Sequence, residues 1–249
     1  MRKIYIIPNL VTTANLYCGF SSITASIHHE YVIAGWFILA AGIFDMLDGR
    51  IARMAKATSQ FGVEYDSLSD LVSFGLAPAI LLYQWGLEPF GRLGLIASFL
   101  YVCCAALRLA RFNVNTAVVS KAYFQGVASP IAAGSIATFI IFSGATGLPE
   151  SENARQVIAF IQALALASLM VCTIPFPSFK ELNWRARSSF GYLMIAVMLL
   201  VFIAIRPEIT LFLIFTTYLL ASLIWNAYRL ATGKPSVVKP LVVKDQATS

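Results

Sequence analysis

Apolar residues along this chain fall into eight long stretches, at roughly 9–28, 31–55, 64–85, 92–112, 127–147, 155–174, 189–205 and 209–230. Polar or turn-forming breaks separate them: His28-His29-Glu30, Gly86 to Gly91, the segment after Arg111 that contains Lys121, Gly147 to Asn153, Pro175 to Arg187, and Arg206-Pro207-Glu208. Most stretches approach the roughly 20 residues that a helix needs to cross a bilayer. The pattern predicts an all-α, polytopic membrane helix bundle with about eight transmembrane helices. No stretch reads as a separate soluble domain, so residues 1–230 form one membrane domain, followed by a basic tail at 231–249. Arg2 and Lys3 precede the first stretch as in a secretory signal. Asn9, Thr12, Thr13 and Asn15 interrupt it, however, and no small-residue cleavage site follows, so it is read as a retained first helix.

Composition agrees. The chain is 59% hydrophobic and 12% charged, against about 25% charged for an average soluble domain. This excludes a disordered chain and a soluble globular one. The four cysteines, Cys18, Cys103, Cys104 and Cys172, form no CxxC pair and lie in apolar runs. Net charge is +6, and its placement gives the orientation. With the N-terminus in the cytoplasm and eight crossings, 15 of the 18 Lys and Arg residues fall on the inner side; only Arg92, Arg155 and Arg206 fall outside. Both termini are therefore expected in the cytoplasm. The basic inner face suits anionic membrane lipids, and no nucleic-acid partner is expected.

With charge so scarce, four acids stand out. Asp45, Asp48, Asp66 and Asp70 lie at the inner ends of the second and third helices. A carboxylate deep in a membrane helix costs roughly 2.5–3.5 kcal/mol on the insertion scale, and four together repel. At about 100° per residue, Asp45, Asp48, Gly49, Ala52 and Arg53 share one helix face. Asp66 and Asp70, four apart, share a face of the next helix. A short link makes the two helices antiparallel neighbours, so the acids can converge. Four carboxylates without Cys or His make an all-oxygen site suited to Mg²⁺, Mn²⁺ or Ca²⁺ rather than Zn²⁺. Gly49, Ala52 and Gly62 leave room for a bulky ligand, and Arg53 offers a planar fork to a phosphate. The constellation reads as a metal–diphosphate site opening to the cytoplasm. The alternatives on spacing alone are a proton or cation relay in a transporter, or salt bridges to Arg50, Arg53 and Lys56.

Asp45-x2-Asp48-Gly49-x2-Ala52-Arg53-x8-Gly62-x3-Asp66-x3-Asp70 resembles, position by position, the signature of the CDP-alcohol phosphotransferase family. The resemblance implies displacement of CMP from a CDP-linked substrate by an alcohol, with a divalent cation, Mg²⁺ or Mn²⁺, possibly as two ions. It implies that Asp45, Asp48 and Asp66 are metal ligands, and that Asp70 is both ligand and general base. Gly49, Ala52 and Gly62 would line the cytidine pocket, Arg53 would hold the diphosphate, and Pro8 and Asn9 would lie near the cytidine base. Ile7 to Thr12, Asn15 to Phe20, Phe61 to Gly75, Leu107 to Asn113, Phe124 to Gly126, Ser129 to Gly134 and Ile174 to Glu181 resemble the phosphatidylserine synthase branch. That branch commonly has Gly-Leu-Pro where this chain has Gly126-Val127-Ala128. The implied substrates are CDP-diacylglycerol and L-serine, and the implied assembly is a homodimer. Serine brings a carboxylate that must meet a cation, and Arg108, Arg111, Asn113 and Lys121 near the inner end of the fourth helix are the candidates. A sister enzyme using glycerol 3-phosphate, inositol phosphate or an archaeal ether CDP-lipid is the nearer alternative. A cation or proton transporter is the farther one.

Overall fold

A computed structural model describes residues 6–54, 59–115, 123–172, 175–177 and 190–232. Within them the chain forms eight helices in the order the hydrophobic pattern predicts: α1 Ile6–Ile27, α2 Tyr31–Met54, α3 Gln60–Phe90, α4 Arg92–Asn115, α5 Ser129–Thr146, α6 Glu152–Val171, α7 Phe190–Ile205 and α8 Pro207–Ala231. Six of these, α2 to α6 and α8, are long and apolar enough to cross a membrane. Helix α1 has 22 residues but carries the polar positions noted above, and α7 spans 16. The protein is thus an integral, multi-pass membrane protein. One feature lies outside the all-helical expectation. Two three-residue strands, β1 Tyr123–Gln125 and β2 Pro175–Pro177, pair antiparallel with Phe124 opposite Phe176.

Packing is built on small residues. Van der Waals fit, not water exclusion, holds helices together in lipid, so close approach of backbones matters. Helix α1 runs along α2 and along α3 from Gln60 to Leu82, α2 lies against α5, α4 against α6, and α8 against α5, while α7 packs chiefly on α8. A Cβ added to Gly35 of α2 would lie 2.9 Å from Ile141 Cγ1 and 3.1 Å from the Ala137 carbonyl of α5. One added to Gly19 of α1 would lie 2.8 Å from Ser73 Cα of α3. The core between these helices holds Ala34, Ile38, Phe74, Leu81, Tyr101 and Ile136, all essentially inaccessible.

Helix α3 is not a uniform α-helix. It is α-helical over Gln60–Asp70, widens to a π-helix over Leu71–Leu76, returns to α-helix over Ala77–Leu82, and widens again over Tyr83–Leu87. The sequence supplies a cause for the first wide turn. Pro78 has no N–H with which to reach the Phe74 carbonyl four residues back, and the Ala77 N–H bonds to the Val72 carbonyl instead, five residues back. The freed Phe74 carbonyl accepts a hydrogen bond from the buried Tyr101 hydroxyl of α4 at 3.3 Å. Ser98 of α4 donates to the Ala79 carbonyl at 2.9 Å. The wide turn begins directly after Asp70.

The contact between α1 and α3 predicts a measurable strain. Gly19→Ala should cost about 1–3 kcal/mol through overpacking, read as a lower melting temperature of the purified protein in detergent.

Candidate active site

Three elements supply the site, and each is fixed by ordinary local chemistry. Ser59 caps the start of α3 by accepting a hydrogen bond from the Gly62 N–H at 3.0 Å. This sets the rotation of α3 and hence the direction of Asp66 and Asp70. The C-terminal part of α2 carries Asp45 and Asp48. Helix α1 lies across both, with Thr12 and Asn15 buried.

The carboxylates converge. Asp45, Asp48 and Asp66 each offer a carboxylate oxygen within 4.8 Å of the others. Asp48 is buried, Asp45 and Asp66 are half-buried, and Asp66 Oδ1 is enclosed without a hydrogen-bond partner. Asp70 is not one of these three. It is buried as well, 9% exposed, with its Oδ1 accepting a hydrogen bond from Asn15 Nδ2 at 3.1 Å. Asp48 Oδ2 accepts from the Thr12 hydroxyl at 2.9 Å. Among the described residues no ion pair joins any of the four aspartates to Arg50 or Arg53. Lys56 lies outside the described residues. The salt-bridge alternative therefore finds no support from the two arginines. Clustered carboxylates with an orphaned, enclosed oxygen fit a hard divalent cation, since repulsion this close needs a positive charge to offset it.

A cavity of about 230 Å³ opens beside the cluster. Its lining includes all six residues that the sequence assigns to a nucleotide pocket: Pro8 and Asn9 from α1, Gly49, Ala52 and Arg53 from α2, and Gly62 from α3, with Asp48 and Asp66 at one wall. Gly49 is informative. A Cβ there would meet nothing nearer than Arg53 Nη2 at 4.0 Å, so packing does not explain its lack of a side chain, and open space in front of its backbone does. Thr12, Ser59 and Val63 also line the cavity.

Of the residues considered for an acceptor, the three that are described, Arg108, Arg111 and Asn113, are not gathered into one cluster. Arg108 of α4 is 9% exposed, donates to Ser129 Oγ at 3.0 Å, keeps its Nε enclosed without a partner, and lies within electrostatic reach of Asp70. Arg111, one turn on, donates to the Val171 carbonyl at 2.9 Å. Val171 ends α6, so this bond satisfies a carbonyl that the helix leaves open. Asn113 donates to Ser67 Oγ of α3 at 2.9 Å. Lys121 lies outside the described residues.

This arrangement can be compared with known proteins. The model of the CDP-alcohol phosphatidyltransferase family matches residues 5–175. The chain belongs to this family. The match ends before α7 and α8, so the family region is α1 to α6 with β1 and the first residue of β2. Among similar proteins, a CDP-diacylglycerol–serine O-phosphatidyltransferase of Helicobacter pylori is 34% identical over 227 residues, covering 90% of this chain and 92% of that protein. A protein of the same name from Bacillus subtilis is 32% identical over 175 residues, covering 70% of this chain and 92% of that protein. An archaetidylserine synthase of Methanothermobacter thermautotrophicus is 37% identical over 173 residues, covering 69% of each.

Thr12 and Asn15 are the residues that sequence reasoning passed over. Their signal was a stripe at helical spacing along α1, Asn9, Thr12, Asn15, Gly19, Ser22 and Ser26. A polar stripe in a membrane helix marks the face turned away from lipid. Filling the cavity supplies a test: Ala52→Leu should weaken binding of CMP or a CDP-linked lipid about tenfold or more without lowering the melting temperature, measured by titration of the purified protein.

Proposed function

We propose that this enzyme transfers the phosphatidyl group of CDP-diacylglycerol to the hydroxyl of L-serine, giving phosphatidylserine and CMP. The observation that carries the proposal is the single cavity that joins the family's nucleotide-pocket positions to a three-aspartate cluster at the inner ends of α2 and α3. The names of the three relatives all place serine as acceptor. They differ in the lipid, and the archaeal relative supports testing an ether CDP-lipid beside the diacyl one.

In this reading Asp45, Asp48 and Asp66 hold Mg²⁺ or Mn²⁺, and Asp70 adds a ligand when a second ion is present. A cation held there would supply positive charge to offset that of the diphosphate and of departing CMP. Arg53 presents two parallel N–H donors to a diphosphate oxygen pair. Gly49, Ala52 and Gly62 let the nucleotide approach backbone, with Pro8 and Asn9 at its base. Asp70 accepts the proton of the serine hydroxyl as that oxygen attacks phosphorus; the bond from phosphorus to the CMP oxygen breaks, and CMP leaves with the electron pair. Direct displacement is the economical route, because the cavity holds no Cys, His or Ser in a nucleophile–base pair. Arg108, buried beside Asp70 with an unpaired Nε, is positioned to receive the serine carboxylate. Arg111 and Asn113 act in this reading through the bonds that shape the inner end of α4, with Lys121 as a further cation for the acceptor.

In this reading both termini and the site face the cytoplasm, which the excess of Lys and Arg expected on that side supports, residues 1–230 are the membrane domain, 231–249 a basic tail, and the protein a homodimer. The lipid tails leave sideways between helices while serine and CMP exchange with the cytoplasm.

Purified protein supplied with CDP-diacylglycerol, Mn²⁺ or Mg²⁺ and L-serine should release CMP and form phosphatidylserine, and a chelator should stop both. Asp70→Asn should lower kcat by about 10²–10⁴-fold. CMP release with glycerol 3-phosphate or inositol phosphate but not with serine would sink the serine assignment. No release with any acceptor, together with ion flux in vesicles that Asp70→Asn abolishes, would favour a transporter.

A further inference from the structure

Helix α1 touches the acids of two other helices through one face. Thr12 and Asn15 are three residues apart, both buried, so their side chains leave α1 in nearly the same direction. Thr12 donates to Asp48 of α2 at 2.9 Å, and Asn15 donates to Asp70 of α3 at 3.1 Å. The backbone behind these two residues is held as well. Ser69 Oγ donates to the Thr12 carbonyl at 3.1 Å, and Ser73 Oγ donates to the Asn15 carbonyl at 3.0 Å. Gly19 lets the Ser73 backbone come into direct contact one turn farther along. The two serines, four apart on α3, therefore bond the carbonyls of the very residues whose side chains hold Asp48 and Asp70. The register of α1 on α3 leaves little freedom for either carboxylate.

The two bonds reach different parts of the site. Asp48 belongs to the three-aspartate cluster, whereas Asp70 stands outside it. The orientation of the Asn15 amide follows from its partner, since an ionised carboxylate only accepts and must face the NH₂ group. Asn15 Oδ1 is enclosed and has no partner of its own, so the bond to Asp70 alone sets the amide. That bond takes one lone pair of Asp70 Oδ1 and fixes the direction of the carboxylate.

We infer that Thr12 and Asn15 are positioning residues with separate tasks: Thr12 orients Asp48 for the cation, and Asn15 orients Asp70 for proton transfer. Neither is a catalytic residue, because each acts through an aspartate. The inference rests on the roles given to Asp48 and Asp70 under the proposed function.

The test uses full-length protein in lipid nanodiscs and two readouts. One is Mn²⁺ binding followed by electron paramagnetic resonance, without substrates. The other is kcat and KM for serine and for CDP-diacylglycerol. Thr12→Val, which keeps the shape and removes the donor, should weaken Mn²⁺ binding about 10–100-fold, and Thr12→Ser should restore it. Asn15→Leu should lower kcat about 10–100-fold, with both KM values and the binding of the first Mn²⁺ ion, held by Asp45, Asp48 and Asp66, close to those of the unaltered protein. Equal loss of Mn²⁺ binding and kcat in both variants, with a lowered melting temperature, would mean that α1 only packs and would overturn the separation of tasks. Unchanged kcat in Asn15→Leu would overturn the role of Asn15. Asp70→Asn distinguishes the levels: if it keeps full activity, the proton-accepting role of Asp70 fails, whatever Asn15 does.

Discussion

Mutual repulsion among four carboxylates at the edge of a membrane is the constraint that organises this protein. Each acid on its own is tolerable near the interface. Three with oxygens inside 4.8 Å of one another, and a fourth buried beside them, are not, because low-dielectric surroundings strengthen every repulsive pair. Arg50 and Arg53 do not relieve this: neither forms an ion pair with the acids. The fold relieves part of it with neutral donors, the Thr12 hydroxyl and the Asn15 amide. A hydroxyl and an amide stabilise a carboxylate without neutralising it. The residual negative charge is what a divalent cation and a diphosphate partner can use, and it persists because the helices carrying the acids are held from behind.

That holding is a property of α1 and α3 jointly. Pro78 removes one N–H from the middle of α3, and the helix answers with a wide turn between Asp70 and Ala77. A wider turn adds part of a residue to the repeat and shifts the face that follows. Ser69, Asp70 and Ser73 are all buried on α1, while Phe74, next along, gives its carbonyl to Tyr101 of α4. The wide turn lets one helix serve a polar contact with α1 and a core contact with α4 within a few residues. A uniform α-helix with Pro78 in place would leave the Phe74 carbonyl unpaired in a region without water, at a cost of several kcal/mol.

The number and order of helices were legible because lipid-facing segments are uniformly apolar and their breaks are rich in Gly, Pro and charge. Eight stretches became eight helices, with most ends within three residues; the largest displacement is at α3, which runs from Gln60 to Phe90 rather than from 64 to 85. The start of α3 was missed because Gln60, Phe61, Gly62 and Val63 do not read as helix until the Ser59 cap is seen. The cavity residues were legible for a different reason: spacing on α2 and α3 fixes which side chains share a face, and the short link makes the faces meet. Thr12 and Asn15 were not singled out, because hydrogen bonds between helices depend on register, which composition and periodicity do not carry. Arg111 shows the same limit. Its spacing from Arg108 suggested a shared task, yet the carbonyl that ends α6, 60 residues away in sequence, takes it instead.

Small residues carry two meanings here, and the structure separates them. At Gly19 and Gly35 an added methyl would collide with a neighbouring helix, so the missing side chain is a packing requirement common to membrane bundles. At Gly49 the same methyl would meet nothing closer than 4.0 Å, and it would project toward the cavity that Asp48 and Arg53 line. Packing exerts no demand for glycine there. In a helix interior glycine costs about 1 kcal/mol relative to alanine, so its presence needs a compensating reason. Gly62 lies between the two cases: a methyl would sit 3.2 Å from the capping Ser59 hydroxyl and 3.6 Å from Asn9 Oδ1, which would crowd the cap and the cavity wall together. The glycine that the fold does not need lies at the wall where a nucleotide would approach backbone. That distinction ties the cavity to ligand binding independently of the acids.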